Sequence, residues 1–336
     1  MKNLFISLFT FSFIVFSMAF GQMGGPVGDV PGIINVAPKE HIPTKRMIPY
    51  EYVREADLVW SKRVWQTIDL REKINHPIYY PLDEITQNGT WNRHSERWSL
   101  WTIIRTHIIS GDLRVFSPYN PNNVFGEWDG DQLKYPIDPQ EGLNYQTDSL
   151  YRNELLYYMS KLGAESDVPK VDDLTGENLV VILPNGIQSF VYDAPDTIWF
   201  TSKDIIEYRL KEDWFFDKER SVLDVRIIAI APVVYLKEVD ANGVESISGT
   251  RELFWIYFPH CRFVFNNYFV YNDKNDALWM SFDDLFWKRR FNAVMYKESN
   301  NFDRKIESYK AGADALYEAQ RVKEEIRTIE HDLWDF

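Results

Sequence analysis

Val222 to Asp273 reads VLDVRIIAIAPVVYLKEVDANGVESISGTRELFWIYFPHCRFVFNNYFVYND, the longest run of β-branched and aromatic residues in the chain. Val225 to Leu236 is almost continuously apolar, and Leu253 to Phe258 is apolar at both alternating positions. Strands of that composition are covered on both faces. Between them Asp240-Ala-Asn-Gly243 supplies the left-handed-tolerant pair Asn242 and Gly243 that a tight reversal needs, so the stretch predicts an antiparallel hairpin. Pro232 has no N–H to give a ladder, which predicts a bulge or an edge contact within the first strand. Pro259 is expected to bend the second strand into a further extended segment, Cys261 to Val270. The hairpin makes the centre of a mixed or antiparallel sheet.

Helical patterns flank this centre and make the class α+β, with amphipathic helices beside the sheet and a further helix at the C-terminal end. Upstream, Val53, Trp60, Val64 and Ile68 fall at helical spacing beside Leu58 and Trp65, predicting an amphipathic helix within Tyr50 to Ile74 that Pro77 ends. Ile78 to Pro81 reads as a short extended segment. A second helix is predicted over Ser95 to Ile109, with Ser95 as N-cap and Gly111 as its stop, followed by a strand at Leu113 to Phe116. Ser117 to Asn144 is dense in Pro, Asn, Asp and Gly and reads as a long loop of the kind that is functional or packed on a surface. Asp129-Gly-Asp131 within it invites a calcium reading but lacks the remaining ligands of an EF-hand loop, so no metal site is assigned.

Downstream, Trp199 to Arg209 and Trp279 to Arg289 align at an offset of 80, with Thr201 on Ser281, Asp204 on Asp284 and Ile205 on Leu285. Each hydroxyl with an Asp three places later has the form of a helix start. Each also follows a strand-like stretch, Ile187 to Tyr192 and Tyr268 to Tyr271, which suggests a repeated strand–helix unit over about 187–216 and 268–297. Asp303 to Phe336 reads as a charged helix. Ile306, Tyr309, Ala313, Leu316, Ile326, Ile329 and Leu333 mark one face, and Glu307/Lys310, Glu318/Arg321 and Glu324/Arg327 are spaced for ion pairs.

At the N-terminal end, Lys2 is followed by the short apolar run Leu4 to Phe20 and small residues before Gln22, the form of a cleaved secretory signal over 1–21. No cysteine lies beside that cut, so no lipid anchor is expected. Residues 22–49 are rich in Gly and Pro and read as an extended flexible leader, leaving 50–302 as the α+β core and 303–336 as the terminal helix. The formal charge of −13 argues against nucleic acid and against direct adsorption to anionic lipid. One cysteine, Cys261, excludes an intrachain disulfide. The 12 Trp, 19 Tyr and 22 Phe fit a large aromatic core, glycan stacking or protein interfaces.

The chemistry-bearing residues are sparse. The sequence has no Gly-x-Ser-x-Gly, no phosphate-cradling glycine loop and no His-Glu-x-x-His. Its six histidines, at 41, 76, 94, 107, 260 and 331, include no pair at ligand spacing. His260 and Cys261 would face opposite ways on an extended strand, which leaves Cys261 as a buried structural residue. No catalytic residue and no cofactor is assigned.

Three runs are more distinctive: Glu51 to Trp65 (EYVREADLVWSKRVW), Trp91 to Trp101 (WNRHSERWSLW) with Gly111 to Pro118 (GDLRVFSP), and Glu252 to Arg262 (ELFWIYFPHCR). Together they resemble the gliding motility protein GldN family, called PorN in non-gliding relatives, and the resemblance extends over essentially the whole mature chain. It implies a non-enzymatic periplasmic component of the type IX secretion system of Bacteroidetes, lying at the inner face of the outer membrane. It also implies a ring made with copies of itself and a GldK-like outer-membrane lipoprotein, and contact with a GldM-like motor subunit; any membrane attachment would run through these partners. A ring needs two different contact patches on each subunit.

Two other readings stand beside it. Aromatic richness and acidity suit a periplasmic or secreted glycan-binding protein or glycoside hydrolase, and a folding factor for exported clients is a third class. The interface residues expected from sequence are Trp60 and Trp65 on the first predicted helix, Trp128 in the long loop, and Leu316, Ile326 and Leu333 on the terminal helix. The leader 22–49 is a further expected tether.

Overall fold

The computed structural model describes residues 47–86, 89–121, 129–163, 168–171, 178–182, 188–192, 197–239, 245–272 and 280–334. Its principal elements, in chain order, are β1 (Leu58–Asp69), α1 (Leu100–Ser110), β2 (Val115–Phe116), β3 (Pro136–Ile137), α2 (Ser149–Met159), β4 (Val180–Ile182), β5 (Gln188–Phe190), β6 (Ile205–Asp217), β7 (Val222–Val239), β8 (Glu245–Glu252), β9 (Trp255–Tyr257), α3 (Phe258–Phe265), α4 (Phe282–Trp287), β10 (Val294–Glu298) and α5 (Ala313–Trp334). An eight-stranded sheet runs β10-β1-β6-β7-β9-β2-β3, with β8 also paired to β7. Every pairing in it is antiparallel.

The predicted hairpin is present as β7 and β8, with Val239 opposite Glu245; residues 240–244, where its reversal falls, lie outside the described residues. The irregularity expected from Pro232 is present in the partner strand. Between Val233↔Glu252 and Ile230↔Ile256 the partner advances four residues while β7 advances three. That bulge sits opposite the missing N–H, and the Pro232 carbonyl still accepts from the Leu253 N–H at 3.0 Å.

Registry separates the sheet into two faces. Ile68↔Tyr208, Leu210↔Ile230, Ile230↔Ile256, Ile256↔Val115 and Val115↔Ile137 are partners across five strand pairs, so these residues share one face. All are buried in the main core, which α1, α2, α3 and α4 supply from Ile103, Ile104, Leu155, Phe258, Phe265 and Phe286. The same face continues to Val64, the partner of Glu212. There α5 closes over it with Ala319, Val322 and Ile326, a stripe at three- and four-residue steps, joined by Met295 and Ile306.

Several sequence expectations are corrected. Tyr50 to Ile74 holds a 12-residue strand, β1, in place of a helix. Trp60, Val64 and Ile68 recur every four residues, a spacing that satisfies both a helix face and a period of two. Val59, Val64, Thr67, Ile68 and the two tryptophans then favour the strand. The second helix starts at Leu100 with Ser99 as its N-cap, whose hydroxyl accepts from Thr102 N–H at 3.3 Å; Gly111 ends it at φ 87° as expected. Pro259 stands in the first turn of α3, so the predicted extension from Cys261 is helical, because proline fits that position without loss of a hydrogen bond. His260 is exposed and Cys261 fully buried on that helix.

The repeat shares its cap and not its helix. Ser281 and Asp284 form a capping box at the start of α4. In the other copy Asp204 accepts from Thr201 N–H and Oγ1 at 2.8 Å, but the chain continues into β6. The Ile-Ile-Glu-Tyr-Arg-Leu that follows Asp204 is β-branched and alternates, so it joins the sheet. Trp279 lies outside the described residues.

In the terminal helix, Arg321–Glu318 at 2.7 Å and Arg327–Glu324 at 3.7 Å form as spaced. Glu307 and Lys310 precede the helix, Glu307 in a 3-10 turn. The predicted signal and the leader up to residue 46 lie outside the described residues. The segment that follows is pinned by Arg262, whose guanidinium pairs with Asp283 at 2.7 Å, donates to the Ile48 carbonyl at 2.7 Å and lies 4.4 Å from the Tyr50 ring and 4.8 Å from that of Trp287. Among the described residues no helix is long and apolar enough to cross a membrane.

Candidate interaction surface

The second face of the sheet is built from the intervening residues. Arg63↔Asp213, Trp65↔Lys211, Lys211↔Ala229 and Arg209↔Ala231 are its partners in registry. Ala229 and Ala231 lie under Trp255, Phe116 and Leu133, a small apolar cap. Beyond that cap the face opens into a groove of about 1120 Å³, lined among others by Trp60, Arg63, Trp65, Asp131, Lys211 and Lys297, with Glu325 and Ile329 of α5 at its margin.

One position of the long loop sets the groove wall. Gly130 N–H donates to the Pro118 carbonyl at 3.0 Å, and a Cβ on Gly130 would come within 2.3 Å of Pro118 Cα. Only glycine permits that approach. The contact delivers Asp131, whose carboxylate accepts from the Trp65 indole N–H at 3.0 Å and pairs with Lys211 at 3.2 Å, while its carbonyl accepts from Lys211 at 2.7 Å. Asp129 pairs with Lys134 at 3.2 Å. The Asp-Gly-Asp element is therefore a structural brace in which the carboxylates meet ammonium and indole groups. Among the described residues no group of three or more His, Cys, Asp or Glu side chains is placed to hold a metal ion.

Charges on this face are paired, and they run from the half-exposed Arg63 to the buried Lys211. Arg63 makes a two-pronged contact with Asp213 at 2.6 and 2.8 Å, and Lys297 pairs with Asp303 at 2.7 Å. Lys297 also stands 4.7 Å from the Trp65 ring and Lys211 5.7 Å from it, so the indole carries a cation on two sides. Burial lowers the Lys211 pKa and the Asp131 carboxylate opposes that shift. Farther along the face, Arg209 pairs with Glu207 at 3.3 Å and with Glu252, and Glu252 accepts from the Trp255 indole at 2.8 Å. Burial raises the Glu207 pKa, with Arg209 pulling against it.

Of the expected interface residues, Trp60, Trp65 and Ile326 come together around this end of the sheet. Trp65 is 7 % exposed at the groove floor, and Trp60 packs half-buried beside the Val64 cluster. Ile326 is fully buried in that cluster, and Leu333 is half-buried on the same helix. Leu316 stands apart at 59 % exposure next to Tyr317 at 74 %. Trp128 lies outside the described residues. Ile326 thus belongs to the fold, and Trp65 presents its surroundings more than itself. The ion-paired residues of the groove escape sequence reading because their partners are distant: Arg63 and Asp213 are 150 positions apart, Lys211 and Asp131 80.

The tryptophan run at 91–101 builds a different cluster. Arg93 lies 4.8 Å from the Trp91 ring and 4.6 Å from that of Trp98, and Arg105 lies 3.9 Å from Trp91 and 4.6 Å from Trp199. Arg105 and Trp101 both donate to the Phe200 carbonyl, at 3.3 and 3.1 Å. Burial lowers the Arg105 pKa to about 10. These rings and cations fasten α1 to the chain entering β6, a structural task.

Residues 53–335 match the family model described as gliding motility associated protein GldN. No curated protein matches the chain.

Proposed function

We propose a role from the premise this match supplies: the chain belongs to the GldN family, gliding-motility-associated components of the type IX secretion system. That family is a structural component of the machinery and not a known enzyme family. On our reading this chain is a non-enzymatic scaffold subunit of the periplasm, held at the inner face of the outer membrane after removal of its signal. It forms a ring with copies of itself and a GldK-like lipoprotein and contacts a GldM-like motor subunit. The observation that carries the reading is the match over 53–335, nearly the whole chain.

The groove on the second sheet face suits such a role. It offers paired charges of both signs around a tryptophan floor, the composition of a protein contact with a polar rim, and we assign it to a partner protein of the assembly. The test is affinity purification of the tagged protein from detergent-solubilised envelopes, followed by mass spectrometry and negative-stain imaging. An outer-membrane lipoprotein recovered in fixed ratio, with ring-shaped particles, is the expected result. Recovery of the protein alone as a monomer overturns the reading.

A further inference from the structure

The eight-residue strand β8 is paired on one side. Its register with β7 runs from Val233↔Glu252 to Val239↔Glu245, and no other strand joins it among the described residues. β6 leaves β7 at Ile205↔Val234, so the outer part of the β7–β8 hairpin projects beyond the rest of the sheet. Along Ile247 to Arg251 the outer edge presents alternate main-chain N–H and C=O groups, a row that proteins ordinarily blunt with proline, lysine or a covering element. The strand, Glu-Ser-Ile-Ser-Gly-Thr-Arg-Glu, holds neither proline nor lysine. Ile247 is 61 % exposed, Ser248 and Thr250 are exposed beside it, and a Cβ built on Gly249 would meet nothing within 4 Å.

Such an edge takes a strand, and main-chain hydrogen bonds supply the affinity. The leader contains a segment of the required kind, Gly-Ile-Ile-Asn-Val-Ala over residues 32–37, which lies outside the described residues. Ile33, Ile34 and Val36 are β-branched, no charge falls from Val30 to Pro38, and Pro31 and Pro38 bound a run in which every residue keeps its N–H. Lys39, Lys45 and Arg46 against Glu40 make the following stretch basic, on a chain whose formal charge is −13. The leader is therefore drawn to the acidic surface of another copy where most of that surface is repelled.

The pinned segment after the leader decides between its own chain and a neighbour. Arg262 holds the Ile48 carbonyl and Arg226 the Glu51 carbonyl, which fixes that segment at the level of Arg226 on β7. Leu236, opposite Gly249, stands farther along the same strand by about 30 Å. The chain from Val36 to Ile48 has an r.m.s. span of about 20 Å. A connection shorter than the gap makes the edge of its own chain a poor target, and the edge of an adjacent copy is under no such restriction.

We infer that residues 32–37 of one copy add as a strand to the open edge of β8 in the next. Segment and edge are different surfaces, so the contact is head-to-tail and propagates, closing into a ring where the rotation allows. The inference rests on the assembly reading above and gives it a specific contact between copies.

The one cysteine, Cys261, is fully buried, so added thiols report alone. Full-length Asn35→Cys and Ile247→Cys chains, expressed together and treated in detergent-solubilised envelopes with a short bis-maleimide, should give a cross-linked dimer holding one of each. Either variant alone should give none. Ile34→Pro in the Asn35→Cys chain removes an N–H from the added strand and should lower the yield by about tenfold or more, while Ile34→Val leaves it unchanged. A chain carrying both cysteines that cross-links within itself, and forms no dimer, overturns the inference in favour of a leader covering its own edge. Dimers of two Ile247→Cys chains overturn it in favour of β8 pairing with β8. Absence of any link, or a link that survives Ile34→Pro, overturns it as well. The lipoprotein co-purification separates the two claims: a lipoprotein recovered without the link removes this contact alone, and a link without the lipoprotein removes the partner assignment alone.

Discussion

On one face of the central sheet Tyr208, Leu210, Ile230 and Ile256 are sealed under helices; one step along the same strands, the other face carries Arg209, Lys211, Ala229 and Trp255. The first face excludes water mainly with apolar side chains, and its one fully buried carboxylate, Glu212, is held by Arg289 at 2.8 Å. The second keeps ions where small apolar residues would fit a sheet as well, and each ion must be paired to be tolerated. Exposed pairs such as Arg63–Asp213, with side chains 44 % and 35 % exposed, contribute little to stability. The contrast teaches that the helix-covered face sets stability and the open face is free to serve association.

The largest test of that division is Leu210→Ala. The side chain is fully buried against both sheet neighbours and helices, so its truncation should cost about 2–5 kcal/mol, read from urea unfolding. Association should follow only the folded fraction. A loss of less than about 1 kcal/mol would mean the covered face is looser than its burial implies.

Gly130→Ala comes next, and it acts at the boundary between the faces. The added methyl meets backbone at 2.3 Å, which side-chain rotation cannot relieve, so the loop must shift. The expected cost is about 1–3 kcal/mol. Asp131 should leave Trp65, visible as a change in tryptophan fluorescence; unchanged emission would show that Asp131 holds its place without the glycine.

How much of this was legible in the sequence follows the same division. The β7–β8 hairpin, α1 with Gly111 and the terminal helix are written in local patterns, and local patterns were sufficient. Pro232 marked the level of the bulge but not its strand, because the donor missing from β7 is accommodated by an extra residue in the partner. The strand β1 was misread because a four-residue recurrence is common to both periods, and its identity is set by pairing with β6, about 150 positions on. The groove was half legible. Trp60 and Trp65 named two of its lining residues, but its ions are defined by registry between distant strands.

Reversing one groove charge isolates association from folding. Arg63→Glu places two carboxylates in registry at position 213, yet both side chains reach water, so stability should change by under about 1 kcal/mol. Recovery of the assembly partner in the envelope purification should fall several-fold. Full recovery with unchanged stability would remove the groove from the contact and leave the open face without an assigned role.

The smallest effect asked of this face is a pH dependence. Glu207 lies on β6 opposite Val233, with Arg209 3.3 Å away, and burial raises its pKa against that cation. The folded state therefore holds the proton to higher pH than the unfolded chain, whose glutamates titrate near about 4.3. The stability this provides is complete below the unfolded value and is lost as pH rises through the folded one. Wild-type protein should lose stability relative to Glu207→Gln as pH rises from about 4 towards neutrality, measured as the difference between their urea midpoints. If the wild type instead gains over the variant across that interval, Arg209 outweighs burial at Glu207. The open face would then stabilise the fold through its ions, and its division from the covered face would be one of degree.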